Sequence, residues 1–164
     1  MTRAILLSLL VAAPGAVAGQ TVSVGAGAAL LTTTLTFQGD PGGGVLGGAA
    51  QEEVLLSHRA GARADIAWYG GSAFGGLHGL WHFIGYRGKV DPYPFGGVTL
   101  QLLSGGAATN QNRTGATAGA GASIHPSRGP TGVPAGVRLY HFFEPGSGAA
   151  DLAQFNLGVR YLRR

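Results

Sequence analysis

The chain has no cysteine, one lysine and one methionine among 164 residues, and only 11% of it is charged. Without cysteine there are no disulfides, no thiolate chemistry and no cysteine-ligated zinc. The charge content is under half of the roughly 25% usual for soluble domains. Ten arginines carry most of the formal net charge of +4, but they are scattered, and only Arg160, Arg163 and Arg164 gather, at the very end. That distribution lacks the basic stripe that nucleic-acid binding requires, so no nucleic-acid partner is expected. Beyond the N-terminal segment no run reaches 18 apolar residues, which excludes a transmembrane helix. Phosphate-loop and dinucleotide fingerprints are missing as well.

What the chain has in excess is glycine, 31 residues of it. Each costs a helix interior about 1 kcal/mol relative to alanine, so long helices are disfavoured. No Gly-X-Y period is present, which removes collagen. Hydrophobic residues at 45% and aromatics at 9% are too many for a disordered linker. A chain with this balance folds mainly as strands.

Residues 1–18 read as an export signal. Arg3 supplies the positive start, Ala4 to Ala13 form an apolar run interrupted only by Ser8, and Ala16-Val17-Ala18 gives the small-x-small cleavage pattern. The run is shorter than the roughly 20 residues that span a bilayer. Cleavage after Ala18 leaves a mature domain of residues 19–164. No cysteine follows, so a lipoprotein anchor is excluded.

The mature chain then alternates in polarity over segments about ten residues long, separated by Gly, Pro, Asn and Asp clusters. These are Thr21 to Leu31, Thr32 to Phe37, Ser57 to Tyr69, Gly76 to Tyr86, Phe95 to Leu103, Thr114 to His125, Pro134 to Phe143 and Ala153 to Leu162. They make seven or eight strands, depending on whether Thr21 to Phe37 is one strand or two. Ala60, Ala62, Ala64, Ile66 and Trp68 share one face, opposite Gly61, Arg63, Asp65 and Tyr69. Likewise Leu77, Trp81 and Phe83 oppose His78 and His82, and Phe155, Leu157, Val159 and Tyr161 oppose Asn156, Gly158 and Arg160.

Two architectures fit one apolar and one small or polar face. A soluble β-sandwich buries the apolar face, whereas a membrane barrel turns it to lipid and keeps the small and polar face inside. The segments approach the 9–11 residues of a tilted membrane strand and exceed the usual 5–6 of soluble sheets. The polar faces carry glycine, serine and isolated Arg, Asp or His where a sandwich would show Lys, Glu and Thr. Aromatics also gather near segment ends, at Phe37, Trp68-Tyr69, Tyr93 with Phe95, and Phe142-Phe143, as interfacial girdles would. The expected fold is all-β: a closed up-and-down antiparallel transmembrane barrel of about eight strands.

At the C-terminus Asn156-Leu157-Gly158-Val159-Arg160-Tyr161-Leu162 reads polar-x-Gly-x-x-aromatic-x. Asn156, Gly158 and Tyr161 thus resemble the terminal-strand signal by which bacterial outer-membrane barrels are recognised for assembly, although Arg163 stands where that signal ends on a hydrophobic residue. With the export signal and the strand count, the mature chain resembles the small eight-stranded outer-membrane barrels of the OmpA/OmpX type. The resemblance implies a Gram-negative outer-membrane location, with outer-membrane lipids and the barrel-assembly machinery as partners, and a structural or surface-interaction role in which loops meet an extracellular ligand. The alternatives are a lipid-modifying barrel enzyme and a narrow, porin-like channel or small-ligand carrier.

No catalytic, cofactor-binding or metal-binding residues are assigned. His78 and His82, four apart on a strand, lie about 13 Å from each other and cannot share a metal. Ser57-His58, Ser123 with His125, and His141 with Glu144 contain hydrolase residue types but lack a nucleophile elbow. Arg63, Asp65, Arg138 and Arg160 are expected to point inward and form a salt-bridge network, with a small anion path as the sharper alternative. Loops are placed at Gln38 to Glu53, Arg87 to Pro94, Ser104 to Arg113, Ser127 to Val133 and Glu144 to Asp151.

Overall fold

A computed structural model describes residues 21–33, 44–69, 72–84, 88–103, 112–126, 129–143 and 150–163. They form eight strands: β1 Thr21–Thr33, β2 Gly44–Leu55, β3 Ala60–Tyr69, β4 Ser72–Trp81, β5 Val90–Leu103, β6 Arg113–Ile124, β7 Thr131–Phe142 and β8 Ala150–Arg163. Each strand pairs antiparallel with the next, and β8 pairs with β1, closing the barrel. Closure leaves no sheet edge with unpaired backbone groups.

Alternation decides which way each side chain points. Val24, Leu77, Val98, Leu139, Leu157 and Val159 are exposed on the outside, while Glu53, Arg63, Asp65, His78, Arg138 and Arg160 are buried inside. This is the reverse of a soluble sandwich. Trp81 and Phe83 face outward at the end that holds Thr21 and Arg163, here the terminal end; Trp68 and Phe143 do so at the opposite, loop end. Tyr69, Tyr93, Phe95 and Phe142, read from sequence as girdle residues, instead point inward and are buried. Each of the pairs Trp68-Tyr69 and Phe142-Phe143 has one ring on each wall because neighbours in a strand alternate. Phe37 lies outside the described residues.

Several boundaries differ from the sequence expectation. Thr21–Thr33 is one strand, with residues 34–37 outside the described part. β2 occupies most of the stretch expected to be the Gln38 to Glu53 loop. Its Gly44, Gly47, Gly48, Ala49 and Ala50 give no polarity contrast, so pattern reading has nothing to follow. Ser57 begins no strand; its Oγ accepts from the backbone N–H groups of Arg59 and Ala60 and shapes a tight turn. β4 stops at Trp81 short of Tyr86, and β5 starts at Val90, so most of the expected Arg87 to Pro94 loop is strand. Pro92 and Pro94 are tolerated because the regular β4–β5 ladder ends at Leu80 opposite Phe95; past it the Phe83 N–H donates to the Pro92 carbonyl at 3.2 Å, a bond that asks for no proline N–H.

Glycine has a specific packing use here. Gly48 lies opposite Trp68, Gly119 opposite Phe95 and Gly121 opposite Tyr93. A Cβ at Gly119 would sit 2.4 Å from Phe95 Cζ, and one at Gly121 would sit 2.8 Å from the Tyr93 ring. Aromatic rings thus lie over neighbouring glycines, filling the space and covering the backbone. Toward the loop end the interior is closed by Ala29, Leu31, Ala67, Tyr69, Phe74, Tyr140 and Phe142. Within this plug Phe74 and Tyr140 approach to 5.3 Å, and Tyr140 stacks on Phe142 at 5.8 Å.

Candidate functional site: the charged lumen

Below the aromatic plug the lumen is polar. Strand alternation brings Asp65 of β3 inward, and Arg138 of β7 reaches across the barrel to it, with Nη1 donating to Oδ1 at 2.8 Å and Nη2 donating to Oδ2. Such two-pronged pairing suits the planar guanidinium. His78 Nδ1 stands 3.0 Å from Asp65 Oδ2. Arg138 also donates to Tyr140 Oη at 3.2 Å, and the Tyr140 hydroxyl donates to Gln154 Oε1.

A second cluster lies toward the terminal end. Arg63 Nη2 donates to Glu53 Oε2 at 2.8 Å, a pair that β2–β3 register sets directly opposite. Glu53 Oε1 is 2.9 Å from His82 Nε2, and His82 Nδ1 is 2.6 Å from Asp91 Oδ2. The imidazole therefore stands between two carboxylates. No group of three or more His, Cys, Asp or Glu placed to hold a metal occurs among the described residues. His82 follows the last residue of β4. Burial opposes a charge on its ring, but hydrogen bonds to Asp91 and Glu53 outweigh that and lift its pKa to about 9. Arg160 of β8 approaches Glu53 at 3.8 Å and Asp91 at 3.9 Å. His125, just past β6, has Nδ1 3.0 Å from the Gly88 carbonyl; burial, then the Arg160 cation, push its pKa down.

Arg63 and Arg138 both lie against one ring. Their guanidinium carbons are 5.7 and 5.2 Å from the centroid of Phe95, within cation–π range. A cleft of about 40 Å³ runs beside them, with Gln51, Asp65, Gln154 and Asn156 among its polar lining and Gly27, Gly136 and Gly158 on its far wall. The charged side chains inside the barrel are each at most 8% exposed. Ion pairs and rings therefore fill much of the lumen among the described residues, as side chains can in a barrel as narrow as eight strands.

A closed eight-stranded barrel with charges inside and an apolar wall outside is the decisive observation. The fold is that of the small outer-membrane barrels. The chain is similar to the N-terminal β-barrel domain of OprF from Pseudomonas aeruginosa, at 17% identity and TM-score 0.64, covering 87% of this chain and 97% of that one. It is likewise similar to Neisserial surface protein A, at 16% identity and TM-score 0.64 over 87% and 96% of the chains. Ail, the attachment invasion locus protein of Yersinia pestis, matches at 12% identity and TM-score 0.59 over 87% and 98%. No protein-family model and no curated protein matches the sequence.

In this outer-membrane-type barrel the four arginine and aspartate residues singled out from sequence all lie inside, but Arg63 and Asp65, two apart on β3, bond to different partners. Glu53, His78, His82, Asp91 and Gln154 complete the network and were not singled out as its members. Glu53 and Asp91 were placed in expected loops, so no inward face could be assigned to them. Asn156 and Gly158 line the interior, with Asn156 Oδ1 accepting from Gln154, whereas Tyr161 faces outward. Ser123 Oγ is buried without a hydrogen bond to His125, Ser57 and His58 sit in an exposed turn, and His141 pairs with Asp151 at 2.8 Å. Glu144 lies outside the described residues. The expected signal segment, residues 1–18, lies outside them too.

Proposed function

We propose that the chain is an exported, outer-membrane-embedded barrel with a structural or surface-interaction role, acting through its loop end. The filled lumen carries this reading: among the described residues, ion pairs and an aromatic cluster occupy much of the space that a channel or carrier would need. Val24, Leu77, Val98, Leu157 and Val159 supply a lipid-facing wall, and Trp68, Trp81, Phe83 and Phe143 suit the two interfaces. Asn156, Gly158 and Tyr161 would present the terminal strand to the assembly machinery. The strand ends at Thr33, Tyr69, Leu103 and Phe142 would then face outside, where a ligand would meet this end of the barrel.

Fractionation and electrical recording on the same preparation test this. The protein should be extracted only by detergent, migrate differently on a gel before and after heating, and give no conductance steps in a planar bilayer. Release into buffer by osmotic shock would refute the membrane reading, and regular conductance steps would replace the structural role with a channel.

A further inference from the structure

The lumen carries an excess of positive charge. Its buried cations among the described residues are Arg63, Arg138, Arg160 and His82, and its buried anions are Glu53, Asp65 and Asp91. Counting the three arginines and His82, whose two ring nitrogens each meet a carboxylate and so both carry a proton, four cations face three anions. An uncompensated charge in a low-dielectric interior is costly unless something neutralises it. Two of these cations, Arg63 and Arg138, meet the same Phe95 ring.

Unused donors lie in the same place. Nε of Arg63 and Nε of Arg138 are buried and bond to no protein acceptor, and both arginines border the 40 Å³ cleft. Asp65 also borders it, but Arg138 occupies both of its carboxylate oxygens. Asn156 uses its Oδ1 to accept from Gln154, which leaves its amide N–H groups to donate. The glycines on the far wall project no side chain into this space. One water-sized sphere needs about 10–15 Å³ on this measure, so the cleft suits a single compact ion with a water or two.

We infer that the lumen holds one small monovalent anion of the halide class between Arg63 and Arg138, bound by their spare Nε–H groups and by the side-chain amides of Gln51 and Asn156. The ion would balance the extra cation. This is a fixed site in the cleft and needs no conduction path through the barrel, so it stands apart from the role assigned to the loops.

Bromide is the probe. The full mature chain, folded in detergent and crystallised from sodium bromide, should show an anomalous scattering peak in the lumen between Arg63 and Arg138. Its midpoint of heat-induced unfolding on a gel should rise saturably with bromide or chloride relative to gluconate at equal ionic strength. Gln51→Met, which fills part of the cleft and removes a donor, should abolish the peak and weaken the halide effect at least tenfold. Arg63→Lys, which keeps a charge for Glu53 but has no guanidinium Nε–H, gives the same test if the first variant misfolds. Water density alone in the cleft, bromide only on the outer surface, or identical midpoints in halide and gluconate would each overturn the site.

Discussion

Asp65 anchors the cross-lumen network, and Asp65→Asn is the sharpest way to measure what that network contributes. The substitution keeps size and shape but removes the negative charge that holds Arg138 through two hydrogen bonds, leaving a guanidinium only 3% exposed. Removing one partner of a buried ion pair costs about 3–5 kcal/mol, because the surviving charge stays desolvated. With a urea dependence of about 2 kcal/mol per M for a domain of this size, the unfolding midpoint in detergent should fall by roughly 2 M. Adding Arg138→Met should restore most of the loss, since an apolar replacement of both partners is often near neutral. The assay is equilibrium urea unfolding of the folded barrel, read by the gel shift and by tryptophan fluorescence. A fall of less than about 0.5 M in the single variant would refute the reasoning, for it would mean that solvent reaches Arg138. A double variant no better than Asp65→Asn would show that Arg138 has a role beyond the pair.

Three further expectations follow from the same geometry. A Cβ at Gly27 would stand 2.3 Å from the Leu157 carbonyl oxygen at the β1–β8 seam, so Gly27→Val should block closure and abolish the compact unheated gel band; a normal band would show that the seam can widen. His82 has its pKa raised to about 9, so its stabilising effect is complete below its ordinary value near 6.5 and is lost as pH rises through 9. It is faced by Glu53, Asp91 and the Tyr93 ring, with Arg160 approaching both carboxylates. Urea midpoints should drop between pH 6.5 and pH 10 in the parent and change less in His82→Gln. Val98, outward and 63% exposed in mid-β5, should tolerate leucine but lose about 2–4 kcal/mol as Val98→Arg in a lipid bilayer; refolding in vesicles measures it, and indifference to arginine would remove the lipid-facing wall.

The barrel was legible in sequence wherever the two faces differ strongly. β3 and β8 could be read because Ala60 to Trp68 and Phe155 to Tyr161 alternate cleanly with polar or small residues. β2 was not, since glycine and alanine on both faces carry no contrast, and β5 was cut short because Pro92 and Pro94 look like breakers until the end of the β4–β5 ladder is known. The inward direction of Arg63, Asp65, Arg138 and Arg160 follows from a period of two. Their partners do not, because the meeting of Asp65 with Arg138, 73 positions away, depends on which strands face each other across a closed ring. Register fixes neighbours within the wall, whereas contacts through the lumen require the ring's width and tilt.

The two walls of this barrel place very different demands on the chain. Outside, any residue soluble in hydrocarbon serves, and Val, Leu, Ala and Phe can be exchanged with little penalty. Inside, a change at one position forces a change on the opposite strand. Such a molecule can drift in most of its spelling while its shape stands still, and a relative of this barrel would then be better recognised by the pairing of its inner charges than by the letters of its outer face.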